Sequence, residues 1–325
     1  MVSPTTQEMS PLMSDDEFTS DNVRAMSAFN PRLPADMLES LLEDEYWEIP
    51  ANLAMNPSIP EWLMDDYASA GEEVAEALTA NPSLPSRLFD SLAHHPKREV
   101  RSSLLERRDL PLDLIYTLSE DDSDGVRRAV AQNVHCPDAL RRRVDGSSVS
   151  YANDVGWSQV TIENISQMSD EERIAYVRTC TVIDIDIQDE LITDSNVQVR
   201  SQLASRLFTA REVLANLGAD SDSWVRQTVA KNPNTPRNTL ETLSRDESDW
   251  IRAAVGANPN AWELKEVLAR DASPIVRGGV ASNPLAEESL LERLGFDEAV
   301  QVRMHVAANG RTPIDLLSRL AQEGL

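Results

Sequence analysis

An all-α solenoid of stacked two-helix repeats is the fold that this sequence predicts, and two observations predict it. A Val-Arg or Ile-Arg pair, with Asn six positions after the Arg, returns with a period of about 25 residues, inside the window that marks repeat arrays. Glycine is scarce, 11 in 325 residues where about 7% is ordinary, which argues against a turn-rich β protein. At 41% apolar residues the chain can still bury an interior.

Residues 1–20, rich in Ser, Thr, Pro, Asp and Met, read as a flexible acidic tail, and 21–325 as one solenoid. The first unit carries Val23-Arg24 and Asn30-Pro31. The next two keep Asn56-Pro57 and Asn81-Pro82 but place Pro50 and Ala75 at the Arg position. Val100-Arg101 and Val126-Arg127 follow, the second with Asn133, while Arg107-Arg108 stand where Asn-Pro is expected. Beyond Arg127 the phase is held only by two degenerate units, near Val149-Ser150 and Ile174-Ala175. The region 146–190 is therefore read as degenerate repeats, a bend or an insertion, with stacking broken near Gly156-Trp157. The pattern resumes at Val199-Arg200 and runs through Asn232-Pro233, Asn258-Pro259, Asn283-Pro284 and Asn309. That makes about twelve units.

Within a unit the local chemistry predicts two short helices. Ser273 is placed as an N-cap with Pro274 at the first helical position, where a missing N–H costs nothing. Val276 and Val280, four apart, share one face. Asn283-Pro284 stops the helix, because proline excludes its predecessor from the α region. Thr235-Pro236 and Thr312-Pro313 read as cap and first residue of the second helix, whose apolar face is Leu240 and Leu243. Two helices of two or three turns cannot bury that face alone, so stacking is obligatory and the array presents a long curved surface.

The stretch Asp220-Ser221-Asp222-Ser223-Trp224-Val225-Arg226 to Asn232-Pro233-Asn234-Thr235-Pro236, followed by Leu240 and Leu243, resembles the leucine-rich repeat variant family. The resemblance covers nearly the whole chain after the tail and implies a right-handed superhelix of alternating α and 3₁₀ helices. It ties the chain to no one activity. One member carries a cysteine-ligated iron–sulfur cluster ahead of its repeats; this chain has only Cys136 and Cys180, so no cofactor is carried over.

Composition narrows the partners. With 30 basic and 55 acidic residues the net charge is -25, which repels phosphate backbones, so no direct nucleic-acid binding is expected. Two cysteines outside any C-x-x-C motif fit a reducing, cytoplasmic setting. Neither a signal peptide nor an apolar run of about 18 residues stands out, so a soluble protein with no membrane insertion is expected.

The candidate sites each carry a structural alternative. Asp precedes the repeated Arg by six positions in Asp121 with Arg127, Asp194 with Arg200, Asp220 with Arg226, Asp246 with Arg252, Asp271 with Arg277 and Asp297 with Arg303. Each Arg has its own acid, so the pairs are read as a bidentate structural ladder in preference to a grip on an anion. The Asn-Pro asparagines are read as turn closers, and Trp224 and Trp250 as buried packing between units. Basic residues concentrate in one region, and Arg98, Arg107, Arg108, Arg128, Arg141, Arg142 and Arg143 form the partner-binding candidate, weighed against a solvated, acid-paired face. His94, His95, His135 and Cys136 lack the spacing of a metal site. Asp184 and Asp186 alternate with Ile183, Ile185 and Ile187 like a strand but have no nucleophile or base beside them. No catalytic residue, cofactor or metal is therefore assigned. The expected role is a non-catalytic scaffold for a protein or peptide; the alternatives are an acidic decoy that mimics nucleic acid and, third, a HEAT-like enzyme. A decoy would spread carboxylates over one face, whereas a scaffold would show an apolar or mixed concave groove.

Overall fold

The computed structural model describes residues 19–133, 135–137, 140–141, 144, 160–180 and 182–322, and these are all helix, turn and loop. Of the expected tail 1–20, residues 1–18 lie outside them and Ser20 already belongs to the first helix; Gly156-Trp157, where a break in stacking is expected, also lies outside them. Each unit is a first helix, here A, a turn at the asparagine position, and a shorter second helix, B. The A helices are α1 (Ser20–Ala28), α3 (Glu48–Met55), α5 (Glu72–Thr79), α7 (Arg98–Leu104), α9 (Asp124–Gln132), α11 (Asp170–Thr179), α13 (Val197–Ser205), α15 (Ser223–Lys231), α17 (Asp249–Ala257), α19 (Pro274–Ala281) and α21 (Val300–Ala308). The B helices are α2 (Ala35–Leu42), α4 (Glu61–Tyr67), α6 (Phe89–Ala93), α8 (Leu112–Leu118), α10 (Ile162–Ile165), α12 (Ile185–Leu191), α14 (Arg211–Leu217), α16 (Arg237–Leu243), α18 (Lys265–Leu268), α20 (Glu288–Leu294) and α22 (Ile314–Ala321). Short 3₁₀ turns precede α6 and α18.

Ser273 stands at the N-cap position and Pro274 starts α19 as the sequence predicts, but the Ser273 hydroxyl donates to Asp249, 2.9 Å, and not to the helix end. The Thr-Pro pairs work differently: Pro236 and Pro313 are themselves the capping positions, and the Thr235 and Thr312 hydroxyls donate back to Val229 and Val306 carbonyls, closing the A helix. The Ile-Asp alternation is not a strand. Asp184 caps α12 by accepting from the Asp186 N–H, 3.0 Å.

Most A helices bury the same three positions, for instance Val225, Val229 and Ala230 or Val302, Val306 and Ala307; on α5 Val74 and on α9 Ala131 are half-buried, and on α11 the first position is the exposed Glu172. A helices of successive units pack extensively on one another, whereas B helices contact chiefly their own and adjoining A helices. Spacing that is tight in one layer and loose in the other curves the array with the A helices inside. The tightest approach is α17 on α19: a Cβ on Gly279 would stand 2.3 Å from the Ala253 carbonyl oxygen, so only glycine admits it.

The units do not stack as an open rod from first to last. Helix α1 packs on α21 and α22, and Asn30 of the first unit donates to the carbonyls of Ala307 and Asn309 of the last, at 2.6 and 2.8 Å. The chain's two ends thus form an ordinary inter-unit joint. The opposite ends, Val144 and Val160, are separated by fifteen residues, which span at most roughly 55 Å. Eleven A helices packed straight at about 9 Å would extend roughly 90 Å. The array therefore bends through about half a turn or more, and with its first and last units joined it is a ring in connectivity, where the sequence predicts an open rod.

Two bonding networks run along it. At the joints, Asn30, Asn56, Asn81, Asn133, Asn232, Asn258, Asn283 and Asn309 each donate through Nδ2 to two carbonyls of the preceding unit, at 2.6–3.3 Å. Each Oδ1 accepts a backbone N–H two residues on, as in Asn234 to Asn232. These buried amides are clamps between units as well as turn closers. Arg107 and Arg206 replace asparagine and do the same work: Arg107 Nη1 donates to Thr79 and Asn81 carbonyls, both 2.7 Å, and Arg206 to Val177 and Cys180.

The second network is the Arg–Asp ladder, in a different register from the one read in the sequence. Arg200, Arg226, Arg252 and Arg277 each grip the carboxylate that follows by about 20 residues, Asp220, Asp246, Asp271 and Asp297, through Nε and Nη2. The Asp six positions back supplies only its backbone carbonyl, to Nη1. Arg303 likewise donates to the Asp297 carbonyl, and Arg127 to that of Asp121, whose carboxylate is held by Arg101. Arg173 with Asp194 starts the run.

Candidate binding surface

On each A helix the buried valine fixes the opposite stripe: the residue before it, those two and three after it, and the one six after it face the inside of the curve. On α13 to α19 the stripe reads Gln198, Ser201, Gln202, Ser205, then Trp224, Gln227, Thr228, Lys231, then Trp250, Ala253, Ala254, Ala257, then Ile275, Gly278, Gly279, Ser282. It continues as Gln301, Met304, His305, Ala308 on α21 and Asn22, Ala25, Met26, Phe29 on α1. Across these six helices Lys231 is the only Lys, Arg, Asp or Glu of the stripe, in a chain of net charge -25. On α3, α5 and α7 the same stripe turns acidic, with Glu48, Glu73, Glu76, Glu99 and Glu106.

Trp224 and Trp250 occupy equivalent positions on adjacent helices and are 59% and 42% exposed, which overturns their expected burial between units. Beside them Ala253 and Ala254 are buried and Gly279 is sealed against α17, so the floor next to the two indoles is low and made of small residues. At its edge His305 lies over Gly278, its Nδ1 3.0 Å from Ser282 Oγ. The ring reaches solvent yet is surrounded by protein, as inside a groove, and that desolvation holds its pKa below the ordinary histidine value.

The family model for the leucine rich repeat variant matches residues 224–248. A solved structure described as a leucine-rich repeat variant with a novel repetitive structural motif is 20% identical, over 74% of this chain and 87% of that one, with a TM-score of 0.34. No curated protein matches the chain. The Val-Arg, Asn-Pro and Leu positions of the matched unit are those that form the core and both networks in unit after unit. Residues 224–248 are thus a repeat of the leucine-rich repeat variant type, in a helical repeat protein.

The basic candidates are not one patch on this helical repeat array. Arg107 is consumed by its clamp, by Asp109 at 2.8 Å and by the Phe89 ring 5.0 Å away. Arg141 folds back onto the carbonyls of Asn133 and Cys136. Arg98 pairs with Glu99 at 2.7 Å, Arg108 is exposed at a turn, and Arg128 is exposed on α9. The side chains of Arg142 and Arg143 lie outside the described residues. Of the histidines and cysteines weighed as ligands, His95 is buried and accepts the Lys97 N–H, and no group of three or more His, Cys, Asp and Glu able to hold a metal occurs among the described residues. Among the same residues no helix is long and apolar enough to cross a membrane.

Sequence reasoning missed the inner stripe itself. A signal was available: the tryptophans immediately precede the buried valine or isoleucine, one residue from the core, where helical geometry turns them away from it.

Proposed function

We propose that this helical repeat protein is a non-catalytic scaffold that holds a protein or peptide partner on the inner face of its ring. The observation that carries the reading is the inner stripe of α13 to α1, which bears no carboxylate and a single lysine, with Trp224 and Trp250 exposed over small residues. Leaving two indoles in water is unfavourable unless something covers them, and aromatic anchors beside small neighbours are what partner surfaces use. The acidic stretch from Glu48 to Glu106 adds a second zone that favours a partner carrying basic residues. A decoy of nucleic acid would need carboxylates along the whole face, and here, among the described A helices, they are concentrated on α3, α5 and α7 and absent from the stripe of α13 to α1.

The test is a photo-crosslinking residue placed at Lys231, on the inner stripe, or at Thr242, exposed on the B helix α16. Capture of a defined partner from position 231 and not from 242 is expected. Capture only from 242 would move the binding surface to the outside of the ring.

A further inference from the structure

We propose that the Trp224–Trp250 seat takes a proline-rich segment in the polyproline II conformation, laid across the A helices along the direction of the array. The inference rests on the inner face being the binding face and names what that face recognises.

Three properties of the seat select this ligand. Trp224 and Trp250 are equivalent residues on neighbouring packed helices, so their origins are one helix spacing apart, about 8–10 Å. A polyproline II helix repeats every three residues at about 3.1 Å each, roughly 9.3 Å, so prolines three apart fall in step with the two indoles. An α-helical ligand offers same-face residues at about 5.4 Å or, seven apart, at about 10.5 Å, both outside that spacing.

The second property is the floor. Ala253, Ala254, Ala257 and Gly279 leave a shallow trough beside the indoles, and a thin, rigid, unbranched ligand fills it better than a helix about 10 Å wide. The third is chemistry. A polyproline II segment makes no internal hydrogen bonds, so its carbonyls need donors. Gln198, Gln202 and Gln227 share the inner stripe with the two indoles and carry N–H donors, whereas an α-helical ligand satisfies its own backbone and needs none. The absence of acidic side chains from the inner stripe of these helices removes the repulsion that a neutral, carbonyl-rich strand would meet on the stripe of α3, α5 and α7. Proline rings on tryptophan faces, in a segment whose backbone is already ordered, are an economical way to bind.

The experiment titrates the full chain with a fluorescein-labelled dodecapeptide of Pro-Pro-Ala repeats, beside an amphipathic Leu-Ala helical peptide and a Gly-Ser peptide of equal length. The proline-rich peptide is expected to bind, and Trp224→Ala with Trp250→Ala to weaken it at least tenfold with an unchanged melting temperature, both residues being exposed. Trp224→Phe with Trp250→Phe keeps a ring at each position and should retain most of the affinity, which guards against a folding defect in the alanine variant. If the helical peptide binds in a tryptophan-dependent way and the proline peptide does not, the ligand assignment fails while the inner-face reading stands. Proline-peptide binding that is indifferent to both tryptophan variants, or no proline-peptide binding, also overturns the proposal.

Discussion

The units between Arg173 and Arg303 and those between Asp44 and Arg101 stack in the same way but are tied differently. In the first region the Arg–Asp ladder is unbroken, each aspartate accepting from the Arg of its own unit and lending its carbonyl to the Arg of the next. In the second, Pro50 and Ala75 hold the Arg positions, and the residues about 20 further on are Ala70 and His95. Guanidinium and carboxylate disappear together. The amide clamp does not: Asn56, Asn81 and then Arg107 continue it without a gap. Stacking therefore requires the clamp, and the ladder is an addition to it.

That ranking is tested first at the joint where the chain's ends meet, because no short covalent loop holds it. Asn30→Ala leaves the carbonyls of Ala307 and Asn309 and the Arg32 N–H without the amide in a buried site, a loss of about 2–4 kcal/mol. Amide exchange in α1 and α21 should rise towards that of an open end; unchanged protection there would mean the ring does not depend on its clamp.

A narrower comparison sets Asn81→Ala against Asn258→Ala. Both asparagines donate to two carbonyls, but only Asn258 lies at a joint whose preceding unit carries a ladder pair, Arg226 with Asp246. The expected loss is larger at Asn81 by about 1 kcal/mol, read from denaturant midpoints. Equal losses would make the ladder energetically silent.

The sequence made the repeats, the helix pairs and the buried positions legible because each unit must bury the same Val and Leu, and a fixed packing problem leaves a fixed pattern. The closure of the ring was legible in principle and was passed over. Val23 and Asn30 of the first unit are core and clamp residues, which an exposed terminal unit has no use for. The ladder's register could also have been found: Arg101 has His95 six positions back but Asp121 twenty positions on, and only the second spacing survives in every unit with an Arg–Asp pair. What the pattern could not reveal is which turn faces inward. That Trp224 and Trp250, turned away from the core, share one concave face depends on the curvature of the whole array, a property that no single unit encodes.

Arg252→Ala probes one rung of the ladder. Its loss frees Asp271, not the Asp246 that the six-residue spacing suggested, and Asp271 keeps the Ser273 N–H at 2.9 Å. A loss of about 1–2 kcal/mol is expected by urea unfolding, below that of an amide clamp because the freed carboxylate retains a donor.

The smallest effect is the response to acid, and it separates the two regions by charge alone. Arg101 and Arg252 hold Asp121 and Asp271 below the ordinary carboxylate range, with burial opposing. For Asp220, Asp246 and Asp297 burial is the largest influence and pushes upward, yet their Arg and backbone donors outweigh it and the net direction is again down. A carboxyl with a lowered folded pKa adds stability that is complete above its unfolded value, near 3.8, and is lost as pH falls through the folded one. Stability should thus be level from neutral pH to about 5 and drop below about 4, with the helices between α13 and α21 losing exchange protection before α3 and α5, which carry no ladder pair. Asp246→Asn with Asp271→Asn should lower stability at neutral pH and flatten that acid limb. Loss of α3 and α5 first would show that acid attacks the array by another route.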